Sequence, residues 1–258
     1  MSSVEEHYSR LLAKHYTWMF GPPFAAKVAE QRAVLEDALG ASELRRGLAV
    51  DLGCGPGFQT IALAQMGYWP VVALDTSAEL LEELRSHASG FEVRAVEADL
   101  LRVGEFVAAG SAAVVVCMGD TITHLGSKED VVRLLGSVRE ALVPGGRVVV
   151  SYRDLSVEAK GVDRFIPVYG DEERVMMCFL EFDEPESVMV HDLVSRRVHG
   201  RWEMEKSCYR KLRLPVEWLE GAMRDVGMTV ERGSAGRLVR LVGRKDDGCD
   251  LRQTVKDG

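Results

Sequence analysis

The segment Val50–Gly57, which reads VDLGCGPG, constrains the fold more than any other part of the chain. It follows a short apolar run and precedes an apolar helical stretch, which is typical of a turn from a buried strand into a helix. Gly53, Gly55 and Gly57 remove side chains from this turn, so the backbone and the helix N-terminus can face a polar ligand. A tight turn that binds no ligand would contain the same residues. The rest of the chain must therefore decide between a ligand-binding turn and a purely structural one.

Short apolar strands alternate with helical stretches as far as Tyr152. The predicted strands are GLAVDL, PVVALD, FEVRAVEA, AAVVVCM and GRVVVSY, with helices at 27–39, after Asp75 and at 128–142. This alternation predicts a parallel sheet with crossover helices. With two more strands predicted at about 228–243, we expect an α/β fold: a mostly parallel seven-stranded sheet with helices on both faces, in a single domain spanning 1–258.

Strand-like runs with no helical period between them fill residues 162–213. They predict an antiparallel β insertion, with outer bounds at 155–214. A helix is expected to begin at Pro215 and end at Gly227. The polar segment 245–258 is expected to be disordered.

Two smaller expectations concern helix ends. Thr76 and Glu79 have the spacing of a capping box, which predicts the start of the helix after Asp75. The PGG turn at 144–146 is expected to end the helix of 128–142 before the next strand.

Composition excludes several classes of partner. The net charge of −8 and pI of about 5.4 offer no basic surface, so no nucleic acid is expected. Apolar runs such as 112–118 are too short to cross a bilayer and the first residues lack the apolar core of a signal peptide, so we expect no membrane and a cytoplasmic location. The five cysteines form no CxxC pair, which favours reduced thiols over disulfides or metal ligands.

Polar residues stand where neighbouring predicted strands end. Asp75 follows the second strand, while Asp99 and Leu100 follow the third. The carboxyl ends of parallel strands meet at one edge of a sheet, near the point where strand order reverses. These residues and the glycine turn should therefore face one ligand.

The DLGCGPG form resembles motif I of class I S-adenosylmethionine-dependent methyltransferases. A dinucleotide fingerprint would need glycine where Phe58 stands, which disfavours a nicotinamide cofactor. The resemblance implies a Rossmann-like fold, S-adenosylmethionine as cofactor and S-adenosylhomocysteine as product. It implies that Asp75 binds the ribose and that Asp99 and Leu100 flank the adenine. The other cofactor residues that it implies in these two loops are Asp51, Gly53, Cys54, Gly55 and Thr76.

The loop CMGDTITHL at 117–125, the PGG turn and the insertion together are similar to the glycine/sarcosine N-methyltransferase group. The nucleic-acid tetrad [DN]PP[YF] does not occur in this loop, and no paired-acid metal signature lies beside it, so no metal is expected. The resemblance implies that residues 1–40 form lid helices and that 155–214 cover the acceptor, or else build a homo-oligomer contact. Further residues implied for the cofactor are Tyr16, Lys27, Met118 and His124.

Arg153 matches the arginine that receives the acceptor's carboxylate in that group, although it could instead pair with Asp154. Asp120 stands where that group has an asparagine. Its negative charge would repel glycine and favour an acceptor with a cationic or hydrogen-bond-donating group, unless Asp120 is a solvated loop residue. A hydroxyl acceptor would need a base, for which His124, Asp120 and Tyr209 are candidates.

The expected reaction is a single in-line methyl transfer to a small molecule, with N-methylation of an amino-acid-like amine favoured. Alternatives are O- or S-methylation of a secondary metabolite, and binding of the cofactor without transfer. The sequence leaves the acceptor open.

Overall fold

The computed structural model describes residues 3–21, 23–40 and 47–246. The strands of this part of the chain are β1 (Leu48–Leu52), β2 (Val71–Asp75), β3 (Val93–Glu97), β4 (Ala112–Cys117), β5 (Leu142–Tyr152), β6 (Phe165–Gly170), β7 (Arg174–Glu181), β8 (Ser187–Val198), β9 (Arg201–Leu212), β10 (Met228–Ala235) and β11 (Leu238–Lys245). The helices are α1 (Val4–His7), α2 (Tyr16–Met19), α3 (Phe24–Leu39), α4 (Phe58–Gln65), α5 (Ala78–His87), α6 (Val103–Phe106), α7 (Lys128–Ala141) and α8 (Val216–Asp225). A π-helical turn at Tyr8–Leu12 and a 3-10 turn at Ala13–His15 connect α1 to α2.

Seven strands form the central sheet in the order β10-β11-β5-β4-β1-β2-β3. The pairs β1–β2, β2–β3, β1–β4 and β4–β5 are parallel, whereas β11 runs antiparallel to both β5 and β10. Strand order reverses between β1 and β4, which is the place where open α/β sheets bind ligands. The predicted mostly parallel seven-stranded sheet is confirmed.

Helices cover both faces of this sheet, as expected. On one face, α7 and α8 bury an apolar stripe that includes Leu134, Leu135 and Met223. On the other, α3, α4 and α5 bury a second stripe that includes Leu35 and Leu63. Each fully buried leucine contributes about 1.5–3 kcal/mol of transfer free energy, so both layers hold the strand ends in place.

The predicted insertion is a separate antiparallel sheet in the order β6-β7-β8-β9. Its inner face packs on the N-terminal segment, because Met176 of β7 and Val194 of β8 share a buried cluster with Leu11 and Leu12. The segment 3–21 is thereby held between the insertion and the central sheet.

Element ends differ from the expectations in four places. Ser77, not Thr76, caps α5, because the Ser77 hydroxyl accepts from the N–H of Leu80. Helix α7 ends at Ala141, ahead of the PGG turn, which lies within β5 where its register with β4 shifts. Pro215 is the N-cap of α8 rather than its first residue.

The fourth difference concerns the expected tail. Lys245 belongs to β11 and its Nζ donates to the carbonyl of Leu142, so ordered structure extends past the predicted boundary. The remainder of the expected tail, from 247 onward, lies outside the described residues.

Candidate active site

The glycine turn between β1 and α4 has the left-handed backbone that its sequence predicts. Gly53 has φ 69° and Gly55 has φ 51°. A Cβ on Gly53 would lie 2.2 Å from Cγ2 of Thr121, and one on Gly55 would lie 3.4 Å from the Tyr16 ring. Backbone conformation disfavours a side chain at both positions and lack of space also excludes one at Gly53, so the backbone itself forms the wall.

Asp75 ties this turn to the end of β2. Its Oδ2 accepts from the N–H of Gly55 at 2.8 Å and its Oδ1 accepts from the N–H of Ser77 at 2.9 Å. Burial raises the pKa of Asp75 despite these backbone hydrogen bonds. The carboxylate therefore organises two loops at the sheet edge.

Two adjoining cavities open at the carboxyl ends of the strands. The first cavity, of about 270 Å³, contains eight of the residues predicted for the cofactor: Tyr16, Gly53, Gly55, Asp75, Thr76, Asp99, Leu100 and His124. The second cavity, of about 390 Å³, contains Lys27, Cys54, Met118 and Arg153, and again Tyr16 and Gly53. Since Tyr16 and Gly53 line both, the two cavities meet at the glycine turn.

Asp51 lines neither cavity. Its Oδ2 accepts from the Thr60 hydroxyl at 2.6 Å, and burial raises its pKa to about 7. Asp51 therefore lies behind the glycine turn, where it fixes the start of α4 to β1.

Asp120 has a buried partner that sequence reasoning missed. Its Oδ2 accepts from Lys211 Nζ at 3.0 Å, and its Oδ1 accepts from the N–H of Arg153 at 2.5 Å. Burial opposes ionisation, but Lys211 and Arg153 outweigh it and lower the pKa of Asp120 to about 2. Asp120 is thus a buried ion-pair member and not a solvated loop residue. The sequence signal that could have found this partner is Lys211 itself, which lies two residues after Tyr209 and therefore on the same face of β9.

His124 ends the 3-10 turn Thr121–His124 that follows β4. Its ring lies against Tyr8 and Tyr209, with centroids 5.9 and 5.4 Å away. Its Nε2 is buried and has no hydrogen-bond partner among the described residues. Burial, reinforced by the charge of Lys211, lowers the pKa of His124 to about 3. The imidazole is therefore neutral, with a free nitrogen beside the first cavity.

A buried network stands behind Tyr209. His7 stacks on the Tyr209 ring at a centroid distance of 4.3 Å, and its Nε2 lies 2.9 Å from Oδ2 of Asp192. The Cys178 thiol donates to Oδ1 of Asp192 at 2.8 Å. Burial raises the pKa of Tyr209, which lines neither cavity. No local sequence pattern marks His7, because its partner is 185 positions away.

Arg153 does not pair with Asp154, which answers one alternative left open above. The Asp154 carboxylate accepts from the backbone N–H groups of Ser156 and Val216 instead. Lys27 contacts Glu30, with Nζ and Oε1 2.7 Å apart.

Neither a membrane-spanning helix nor a cluster of metal-binding side chains occurs among the described residues. No helix there is long and apolar enough to cross a bilayer. No group of three or more His, Cys, Asp or Glu side chains there has the arrangement of a metal site.

Comparison with known proteins supports a methyltransferase. A model described as a methyltransferase domain matches residues 49–146. YqeM, a Bacillus subtilis (strain 168) protein named as a methyltransferase, is 25% identical over 202 residues, which is 76% of this chain and 78% of that protein. These matches support an S-adenosylmethionine-dependent methyltransferase of class I.

Two further proteins are similar to this chain. A glycine/sarcosine N-methyltransferase of Halorhodospira halochloris is 27% identical over 150 residues, which is 54% of this chain and 55% of that enzyme. The solved structure of CalS10 with S-adenosylmethionine bound, an amino pentose methyltransferase from Micromonospora echinaspora, has a TM-score of 0.69. It shares 14% identity over 90% of this chain and 95% of that chain, so it supports the fold.

The residues that line the two cavities suit the chemistry of S-adenosylmethionine. The first offers carboxylates at Asp75 and Asp99 for hydroxyl and amine groups, with Leu100 as an apolar wall. The second offers an opposite-charge pair, Lys27 and Glu30, which suits a zwitterion. The glycine turn between them has no side chain to obstruct the ligand.

Proposed function

We propose that this methyltransferase transfers the methyl group of S-adenosylmethionine to the amine of a small, amino-acid-like acceptor that carries an anionic group. One observation carries the proposal: a neutral histidine with an unpaired nitrogen and an unpaired arginine border cavities that meet at the glycine turn. His124 suits the nitrogen that loses a proton, and Arg153 suits the anion.

The cofactor supplies a methyl group on a positively charged sulfur, which is already activated for transfer. The chain's own task is then to align and desolvate the reactants. Asp75 and Asp99 would hold the nucleoside, Lys27 the methionine carboxylate, and Met118 the wall near the sulfur. The role of Asp75 toward the ribose has the strongest support, because two backbone hydrogen bonds fix the position of its carboxylate at the cavity.

The acceptor amine must be uncharged to attack, and His124 favours that state. A neutral imidazole with a free Nε2 accepts a hydrogen bond from the uncharged amine and orients it, while the proton released after transfer passes to water. A protonated His124 would repel both the amine and the sulfonium, and its lowered pKa prevents this. The same nitrogen would serve a hydroxyl acceptor, so O-methylation is the second candidate.

The segment 3–21 and the insertion supply the cover that transfer requires. Val4, Tyr8 and Tyr16 line the first cavity from the N-terminal segment, while Tyr209 approaches His124 from β9. These contacts support a lid made of the N-terminal helices and an acceptor side made of the insertion. Exclusion of water by both elements would strengthen the electrostatic contacts inside.

The proposal is tested with methyl-deuterated S-adenosylmethionine and a filtered small-molecule extract. Mass spectrometry should detect a product that has gained the labelled methyl group on nitrogen, together with S-adenosylhomocysteine. His124→Gln should reduce turnover by a larger factor than it weakens cofactor affinity, measured by calorimetry. A label on oxygen would favour the second candidate, and cofactor binding with no labelled product would defeat the proposal.

A further inference from the structure

The second cavity contains more positive charge than the methionine end of the cofactor needs. Among the described residues that line it, Lys27, Arg153 and Arg237 are cationic and Glu30 is acidic. Lys27 and Glu30 are 2.7 Å apart and form an opposite-charge pair, which matches one carboxylate and one ammonium group. Two guanidinium groups remain in a protein whose net charge is −8.

Neither remaining guanidinium has a hydrogen-bond or ion-pair partner among the described residues. The backbone N–H of Arg153 is held by Asp120, which fixes the start of its side chain at the end of β5. Arg153 and Arg237 are exposed at the cavity rim, whereas the more buried Arg213 and Arg240 are paired, Arg213 with the carbonyl of Leu155 and Arg240 with Asp37. Two unpaired arginines on one cavity wall are therefore free to bind an anion.

Arg153 and Arg237 line the same cavity because strand register brings their backbones close together. Val239 of β11 pairs with Tyr152 of β5, so Leu238 falls opposite Arg153 and Arg237 is the next residue, in the turn. Gly236 and Arg237 form a two-residue turn between β10 and β11, with φ 63° at Gly236. Such a short turn allows its backbone little freedom, so Arg237 stays at the cavity rim.

We propose that Arg153 and Arg237 form one anion subsite and that the acceptor is an amine with two negative charges at that end, either two carboxylates or one phosphate group. This inference rests on the proposed methyl transfer and deepens it. A single carboxylate would compensate only one guanidinium, and the cofactor's sulfonium adds a further positive charge nearby. A second anionic charge balances the cavity, and planar arginine forks bind carboxylate and phosphate oxygens in pairs.

The test uses the full chain, methyl-deuterated S-adenosylmethionine and the filtered extract, and it separates labelled products on a strong anion exchanger at pH 7. The labelled product should elute with dianions, and its mass and phosphatase sensitivity then distinguish two carboxylates from a phosphate. With that purified acceptor, Arg237→Gln should lower kcat/KM roughly tenfold by raising KM, and Arg237→Lys should recover only part of the loss. Arg201→Gln, which removes an exposed arginine at the β8–β9 turn, is the matched control and should change nothing.

Cofactor calorimetry on the same variants gives a readout apart from activity. The affinity of Arg237→Gln for S-adenosylhomocysteine should stay within about twofold of the parent. A loss of cofactor affinity as large as the loss of kcat/KM would show that Arg237 holds the cofactor and would overturn the proposal. A labelled product with one or no negative charge, or equal behaviour of Arg237→Gln and Arg201→Gln, would overturn it while methyl transfer itself stands. No labelled product at all would instead defeat the proposed function and this inference with it.

Discussion

The proposed nucleoside side and the proposed acceptor side of the site are built in different ways. The nucleoside side consists of strand ends and tight turns, where Gly55, Asp75 and Asp99 are positioned by hydrogen bonds to residues nearby in the chain or on adjacent strands. The acceptor side depends on pairs far apart in sequence, such as Asp120 with Lys211 and His7 with Asp192. The first is positioned by the sheet, and the second exists only after the insertion and the N-terminal segment have docked.

The largest expected effect is a loss of stability when the buried ion pair of the acceptor side is removed. Lys211→Met leaves Asp120 buried without its cation, which should lower the free energy of unfolding by about 3–5 kcal/mol. Chemical denaturation measures this change. Lys14→Met is the matched control, because Lys14 pairs with Glu205 at 2.6 Å at the surface and should cost at most about 1 kcal/mol. The double variant Asp120→Asn/Lys211→Met should recover part of the loss, and equal losses for Lys211→Met and Lys14→Met would contradict the role of this pair.

A somewhat smaller effect, on cofactor affinity, is expected when Asp75 of the nucleoside side is replaced. Asp75→Ala removes a charged acceptor for ribose hydroxyls, which should weaken cofactor binding by about 2–3 kcal/mol. Calorimetry with S-adenosylhomocysteine should show a Kd raised roughly 30- to 150-fold. Asp37→Ala, outside both cavities, serves as control. Unchanged affinity in Asp75→Ala would remove this residue from the cofactor site.

The buried His124 should make the acceptor side sensitive to acid. Its pKa falls from 6.5 to about 3 on folding, so the unfolded chain binds the proton more readily between these values. The contribution of neutral His124 to the free energy of unfolding is therefore fully present above pH 6.5 and is lost as the pH falls toward 3. Relative to His124→Gln, the protein should lose about 2 kcal/mol between pH 7 and pH 5. Parallel pH dependence of the two unfolding free energies would show that His124 titrates normally.

The smallest expected effect concerns Arg153, at the boundary of the two sides. Arg153→Lys keeps the charge but loses the planar fork, so the acceptor KM should rise about tenfold, which corresponds to about 1.4 kcal/mol. Cofactor affinity should not change, because Lys27 remains. If Arg153→Lys instead lowers the melting temperature without a change in KM, this arginine has only a structural role.

The central sheet and the nucleoside side were predictable from the sequence because their signals are local. Apolar runs of strand length alternate with helical periods, and the glycine turn stands directly after β1. Seven of the eight predicted cofactor residues that line the first cavity lie at or after the carboxyl ends of strands, which meet at one edge of a parallel sheet, and the eighth, Tyr16, comes from α2. Asp51 was assigned to the cofactor with them, yet it lies behind the turn and bonds Thr60, because a residue inside β1 has two faces and sequence spacing does not choose between them.

The acceptor side was decided by the tertiary structure. The sequence supplied Asp120, His124, Arg153 and Tyr209 as candidates, but it did not show that Lys211 takes the charge of Asp120 from 91 positions away. Local patterns determine which residues lie at strand ends and which face is apolar. Which buried charge finds a partner, and which arginine is left without one, depends on how distant segments pack, and that packing follows from burial and charge compensation across the whole fold.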